Sequence, residues 1–164
     1  MTHSETIDKF YRAFQERNWQ QMNECYHTNI VFSDPVFQHL AGGQAKAMWH
    51  MLTTSARDLT VAHSRISTNG NEGTCHWEAW YTFSKTGAKV HNIIDAKFEF
   101  HEGKIIRHID TFDLRKWAGM ALGVPGKLLG WTPWMHGRIR ATAASSLARF
   151  CKEHPEYLGK QNQP

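Results

Sequence analysis

Apolar residues recur at steps of three and four at Ile7, Phe10, Tyr11 and Phe14. A helix gathers such positions onto one face. Thr2 and Glu5 stand ahead of them at capping-box spacing. A shorter helix is expected next, with Trp19, Met22 and Tyr26 turned inward. Ile30-Val31-Phe32 then reads as a short strand, stopped at Asp34-Pro35 because proline cannot donate to a ladder. Gly42-Gly43 opens a further helix through Met48, Trp49 and Leu52. From Leu59 the period changes to alternation. Residues 59–68, 73–84, 89–101 and 104–114 read as four long strands, separated by Asn69-Gly70-Asn71, Lys85-Thr86-Gly87 and Glu102-Gly103, all turn chemistry. Connections this short make neighbouring strands antiparallel. From Arg115 the helical period returns, broken at Pro125-Gly126 and Pro133, and ends on a stripe of Ile139, Ala143, Leu147 and Phe150. The order predicts an α+β domain, a curved antiparallel sheet packed against N-terminal helices, with an added helical C-terminus.

Composition narrows the class without changing that layout. The chain has 164 residues, 41% hydrophobic and 21% charged, which fits one globular domain with a sizeable core and excludes a disordered or fibrous chain. Cys25, Cys75 and Cys151 are an odd number without close spacing, so a disulfide scaffold is excluded and a reducing, cytoplasmic setting is expected. The start of the chain lacks the basic and apolar regions of a signal peptide. Charge is uneven. Residues 1–103 carry 9 basic and 11 acidic side chains, residues 104–164 carry 10 and 4. No dense Lys/Arg cluster appears, so a solvated surface is expected rather than a nucleic-acid partner.

Three stretches carry a resemblance: Phe10 to Tyr26, Val31 to Trp49 through Asp34-Pro35 and Gly42-Gly43, and Phe98 to Asp113 through Glu102-Gly103. Their order and spacing, over residues 7 to 113, resemble the nuclear transport factor 2-like superfamily, in its branch of SnoaL-like polyketide cyclases and ketosteroid isomerases. The resemblance implies a cone over residues 1–115, with the sheet wrapped around an apolar pocket, and a helical extension over 116–164. It implies a small hydrophobic ligand with one carbonyl-like or hydroxyl group. It also implies a homodimer through the sheet, and isomerase, cyclase or dehydratase chemistry with no cofactor. The alternative is a non-catalytic binder of such a ligand, or an interaction module.

Asp34 corresponds to the aspartate that acts as general base in the isomerases. An aspartate at the mouth of an apolar pocket binds its proton more tightly, because desolvation disfavours the charge. The alternative is a turn-starting Asp bonded to its own backbone. His108 and Asp110 lie two apart on a strand, so they share a face with Ile106 and Phe112. They are candidates for an acid/base pair, for a purely structural hydrogen bond, or for an outward face toward a second subunit. If Ile94, Ala96 and Phe98 face inward, Asn92 does too and is placed to orient a substrate. A one-residue slip would exchange the faces. Phe10, Phe14, Tyr26, Trp49, Ile94, Phe98, Phe112 and Trp117 are the expected apolar lining, or plain core. Two departures stand out. The isomerases' carbonyl-polarising tyrosine corresponds to Phe10, and their protonated aspartate to Ala96 in this register or to Asp95 in the slipped one; with Phe10 and Ala96 the oxyanion donors that dominate such catalysis are missing. The Arg-x-Asp pairing of limonene epoxide hydrolases is also absent, the strand reading Asn92-Ile93-Ile94-Asp95. Several strand histidines could meet across the sheet, but no HExxH or CxxC motif occurs and no metal is expected.

Trp117, Met120, Leu122, Leu128, Leu129, Trp131, Trp134 and Met135 crowd a stretch whose prolines and Lys127 make it a poor candidate for a spanning helix. Packing on its own domain, including as a lid over the pocket, is placed first. Contact with a second subunit comes next, and a membrane surface last.

Overall fold

Thr2 starts the first helix as its spacing predicts. In the computed structural model, which describes residues 1–159, its hydroxyl accepts from the Glu5 N–H at 3.2 Å while Glu5 Oε2 accepts from the Thr2 N–H at 2.7 Å. Helix α1 spans His3–Gln15 and buries Ile7, Phe10, Tyr11 and Phe14 against the sheet. Helix α2 is shorter than expected, Trp19–Glu24. Tyr26 does not continue it but opens strand β1, Tyr26–Ser33, eight residues rather than three. The reason is tertiary. β1 lies parallel to the last strand, β6 (Lys104–Thr111), with Tyr26 paired to Ile105, and that pairing supplies the backbone partners a third helical turn would have supplied.

Leu40–Ala41 forms a two-residue strand, β2, on the free edge of β1, too short to leave a periodic signal. Helix α3, Gly43–Ser55, follows directly. A Cβ on Gly43 would overlap the carbonyl of Tyr157, in the 3-10 turn Pro155–Tyr157, so the bare glycine is what lets that turn sit on the start of α3. The alternating segments form β3 (Thr60–Asn69), β4 (Glu72–Phe83), β5 (Ala88–His101) and β6, antiparallel in sequence. The curved, unclosed sheet runs β2-β1-β6-β5-β4-β3.

Register decides which face holds chemistry. Along β5, Val90, Ile94, Ala96, Phe98 and Phe100 are buried while Lys89, His91, Asp95, Lys97 and Glu99 are exposed. The inward face therefore carries Ala96 rather than Asp95. Beyond β6, helix α4 (Leu114–Ala121) begins with the Asp113 side chain accepting from the Lys116 N–H. Helices α5 (Val124–Leu129) and α6 (Pro133–Glu153) follow. Two apolar clusters result. The larger joins α1, α3 and the sheet to Leu147 and Cys151 of α6, and the smaller gathers Val90, Leu114, Trp117, Ala118, Ala121, Met135 and Ile139. Val36, Tyr81 and Phe112 touch both. The expected stripe on α6 holds, with Ile139 and Leu147 buried and Ala143 and Phe150 half-buried.

Candidate functional site

Asp34 opens the turn that carries Val36, a residue packed against both clusters. It leaves the end of β1, whose parallel register with β6 sets Phe32 against His108 and Ser33 against Ile109, so Asp34 comes next to Asp110. Its Oδ1 accepts from the N–H groups of Val36 at 2.7 Å and Phe37 at 2.5 Å. This is the turn-starting bond that sequence alone could not separate from a catalytic role. Arg140 of α6 pins the turn from outside, its Nε donating to the Pro35 carbonyl at 2.9 Å. With Oδ1 engaged, Oδ2 is the oxygen left to carry a proton. Burial raises the Asp34 carboxyl from 3.8 to about 7 against the pull of the Phe37 N–H, and the charge of Asp110 adds to the rise.

Asp110 and His108 form the centre of a buried chain of hydrogen bonds. Trp49 Nε1–H donates to the Tyr26 hydroxyl at 2.8 Å, and that hydroxyl lies 2.7 Å from His108 Nδ1. His108 Nε2 lies 2.9 Å from Asp110 Oδ1, which also accepts from Trp77 Nε1–H at 3.2 Å. One proton arrangement uses every donor once: Tyr26 O–H donates to Nδ1 of a neutral imidazole, and its Nε2–H donates to an ionised Asp110. Burial holds the Tyr26 hydroxyl well above the ordinary phenol range, which keeps that proton in place. Removing the Tyr26 hydroxyl would strand the Trp49 N–H and His108 Nδ1. We expect Tyr26→Phe to cost about 1–3 kcal/mol, read as a lowered thermal midpoint; an unchanged midpoint would mean the chain of bonds is not formed.

His108 is 0% exposed and Asp110 4%. The rings of Phe98, Phe32, Phe10 and Trp49 enclose His108 with centroids 4.5, 5.1, 5.5 and 5.9 Å away. The expected roles change accordingly. His108 has no free nitrogen with which to meet a substrate, because helices α1 and α3 close over it. Phe10, Tyr26, Trp49 and Phe98 are its packing shell rather than the wall of an open pocket. Phe14 packs edge-on against Trp49 and Trp77, and Ile94 is buried opposite Trp77. Asn92, opposite Ala79, is half-buried on the inward face of β5. Phe112 and Trp117 lie toward the second cluster.

Sequence reasoning missed Tyr81. It is on the inward face of β4, in step with Trp77 and Ala79, and pairs with Val90. That alternation was the available signal. Its hydroxyl accepts from Trp117 Nε1–H at 2.8 Å. Burial raises its proton affinity, and the charge of Asp34 adds to the rise, which places the two groups within electrostatic reach. The Tyr11 hydroxyl is also buried, without a partner among the described residues, and senses the charge of Asp110. Two surface cavities of about 500 and 530 Å³ open elsewhere, one at Lys116, Met120 and Lys127, the other at Trp19, His27 and Lys104. Neither reaches Asp34 or Asp110. His27, His101 and Glu102 bring three possible metal-ligand atoms together. However, His27 Nδ1 accepts from the Asn29 N–H, so the neutral ring carries its proton on Nε2, facing Glu102.

Comparisons with known proteins agree with this architecture. Among solved structures the fold is similar to IdmH from Streptomyces antibioticus, a provisional polyketide cyclase, at TM-score 0.63 and 18% identity over 76% of this chain and 100% of that one. It is similar to an LEH-like epoxide hydrolase from M. tuberculosis, at TM-score 0.62 and 16% identity over 77% and 92%. A provisional polyketide cyclase from Xanthomonas campestris aligns at TM-score 0.61 and 15% identity over 72% and 95%. No curated protein matches the chain. The architecture is the nuclear transport factor 2-like fold. Residues 7–108, from the buried face of α1 to the enclosed histidine of β6, match the model of the SnoaL-like domain, and the chain belongs to that family.

Proposed function

We propose that the protein is a cofactor-independent acid/base enzyme, moving a proton on a small hydrophobic molecule that carries one carbonyl or hydroxyl group. The observation that carries this reading is Asp34: one carboxyl oxygen is tied to the backbone, the other is free, and the group binds its proton to about pH 7 beside a second carboxylate. In the simplest step, Asp34 Oδ2 takes a proton from the carbon next to a carbonyl. The C–H electrons form the carbon–carbon double bond, and the carbonyl π electrons move to oxygen. Where the substrate carries a carbon–carbon double bond β,γ to the carbonyl, the oxyanion electrons then re-form the carbonyl, the double bond moves to the α,β position, and the γ carbon takes the proton back from Asp34, which is an isomerisation. Tyr81 is the donor we assign to the developing oxyanion, since its hydroxyl accepts from Trp117 and its own proton is free to be given. This answers the loss of the hydroxyl at Phe10. We assign His108 a positioning role through Asp110, and Asn92, half-buried on the same inward face of the sheet, the orienting of the ligand. Trp80, Ile93 and Ile109 stay exposed on the outer face of the sheet, the face we assign to a second copy.

Carboxyl-carbon NMR across a pH series tests the reading. We expect one side-chain carboxyl to titrate near pH 7 and to vanish from the spectrum of Asp34→Asn. In parallel, deuterium from solvent should enter enolisable hydrophobic ketones with the wild type and not with Asp34→Asn. An Asp34 that titrates in the ordinary carboxylate range, or exchange that survives its replacement, would end the proposal.

A further inference from the structure

The segment from α4 to the first turns of α6 carries a surface that the catalytic reading does not use. We propose that it docks the protein onto an anionic phospholipid bilayer. Val124, Leu128 and Trp131 follow one another at steps of four and three, so they form a single stripe along α5 and the turn after it. They are 67%, 66% and 63% exposed, and Trp134, at the start of α6, is 59% exposed. The stripe is held outward by its inner side. A Cβ on Gly126 would overlap the Ala118 carbonyl, so α5 lies flat on α4 with its glycine face and cannot roll to bury the leucines. Trp131 Nε1–H donates to the Leu128 carbonyl at 3.1 Å, which leaves its indole with no call on solvent.

Charge supplies the identity of the occupant. Between Leu114 and Lys152 there are seven Lys and Arg residues and no Asp or Glu. Arg138 lies over the ring of Trp134 at 5.4 Å, and Lys116 and Lys127 flank the cavity of about 500 Å³ between α4 and α5, together with His91. Among the described residues, none of Arg115, Lys116, Lys127 and Arg138 belongs to an ion pair, whereas Lys9, Arg12, Lys89 and Arg107 do. An apolar stripe with indoles and an unpaired basic rim is the composition of an interfacial anchor: the rings and leucines enter the headgroup boundary while the cations meet phosphate. A second copy fits less well, because a two-fold contact would set this rim of like charge against itself. Nucleic acid would leave the aliphatic stripe without a use. No helix among the described residues is long and apolar enough to cross a membrane, so the contact is peripheral.

Co-sedimentation of the full chain tests this, using vesicles of equal parts phosphatidylglycerol and phosphatidylcholine against vesicles of phosphatidylcholine alone. We expect binding to the anionic vesicles with a blue shift of tryptophan emission. Lys116→Gln with Lys127→Gln should weaken it by about thirtyfold, and Leu128→Glu should abolish the blue shift. All these positions are solvent-facing, and an unchanged circular dichroism spectrum and thermal midpoint would show that each variant is folded. Failure to bind the anionic vesicles, or equal binding to both kinds, would overturn the proposal. So would a concentration-dependent dimer that Leu128→Glu dissociates, which assigns the face to a second copy. Capture of a DNA oligonucleotide in place of vesicles would overturn it as well.

Discussion

Replacing Asp34 with asparagine is expected to make the protein more stable at neutral and alkaline pH, even though it removes the group proposed to do the chemistry. Asparagine keeps the oxygen that accepts from the Val36 and Phe37 N–H groups, so the turn survives. What it removes is a charge that the folded state holds at a cost. Burial raises the carboxyl from 3.8 to about 7. The sign follows from which state binds the proton more tightly. Below pH 4 both states are protonated and the folded state has the full benefit of its neutral carboxyl. Between about pH 4 and pH 7 the unfolded chain ionises first, and that benefit is lost as pH rises through the folded value. Above pH 7 both states are ionised and the folded one carries the desolvation cost. The difference between variant and wild type should therefore open from pH 4, level off above pH 7 and reach about 2–4 kcal/mol. Urea unfolding at a series of pH values measures it. A gap that does not depend on pH, or a less stable variant at pH 8, would show that Asp34 ionises as it does in water.

The opposite result is expected at Asp110. Alanine there leaves the Nε2–H of His108 and the Nε1–H of Trp77 without acceptors, in surroundings where His108 is wholly enclosed. An unpaired buried donor costs the desolvation that its partner had offset, so Asp110→Ala should lose about 3–5 kcal/mol. Asp110→Asn retains an acceptor oxygen for both donors and should lose only about 1 kcal/mol. Combining Asp110→Ala with His108→Phe removes one stranded donor along with its acceptor. It also strands the Tyr26 O–H that donates to His108 Nδ1, so the double variant should lose less than the sum of the two single losses, which a double-mutant cycle would read as strong coupling. Additive losses, or equal damage from alanine and asparagine, would argue against the buried chain of bonds.

These two aspartates differ in how far the sequence reveals them. The inward faces of the strands could be read from alternation alone. Ile94, Ala96 and Phe98 are buried and Asp95 is outside, so the slipped register is rejected. The pairing of His108 with Asp110 could be read from their spacing of two. The enclosure of His108 could not, because it comes from Phe10 on α1 and Trp49 on α3, far away in the chain. Tyr26 shows the same limit. Its helical spacing after Trp19 and Met22 was a local signal, and the parallel pairing with β6 overrode it. Tyr81 was legible as an inward residue of β4, but nothing local marks it as lying within reach of Asp34.

The sequence by itself determined the element order, the strand faces and the family, because periodicity and turn chemistry act between residues a few positions apart. Tertiary structure decided the chemistry. A carboxyl's proton affinity depends on how much water is excluded around it and on which charges stand nearby. For Asp34 those are set by Asp110, brought alongside through the parallel pairing of β1 and β6, and by the packing of the two clusters around the turn. The same physics left the α5 stripe outside: Gly126 seats that helix flat on α4, so residues whose composition suits a core face the solvent instead.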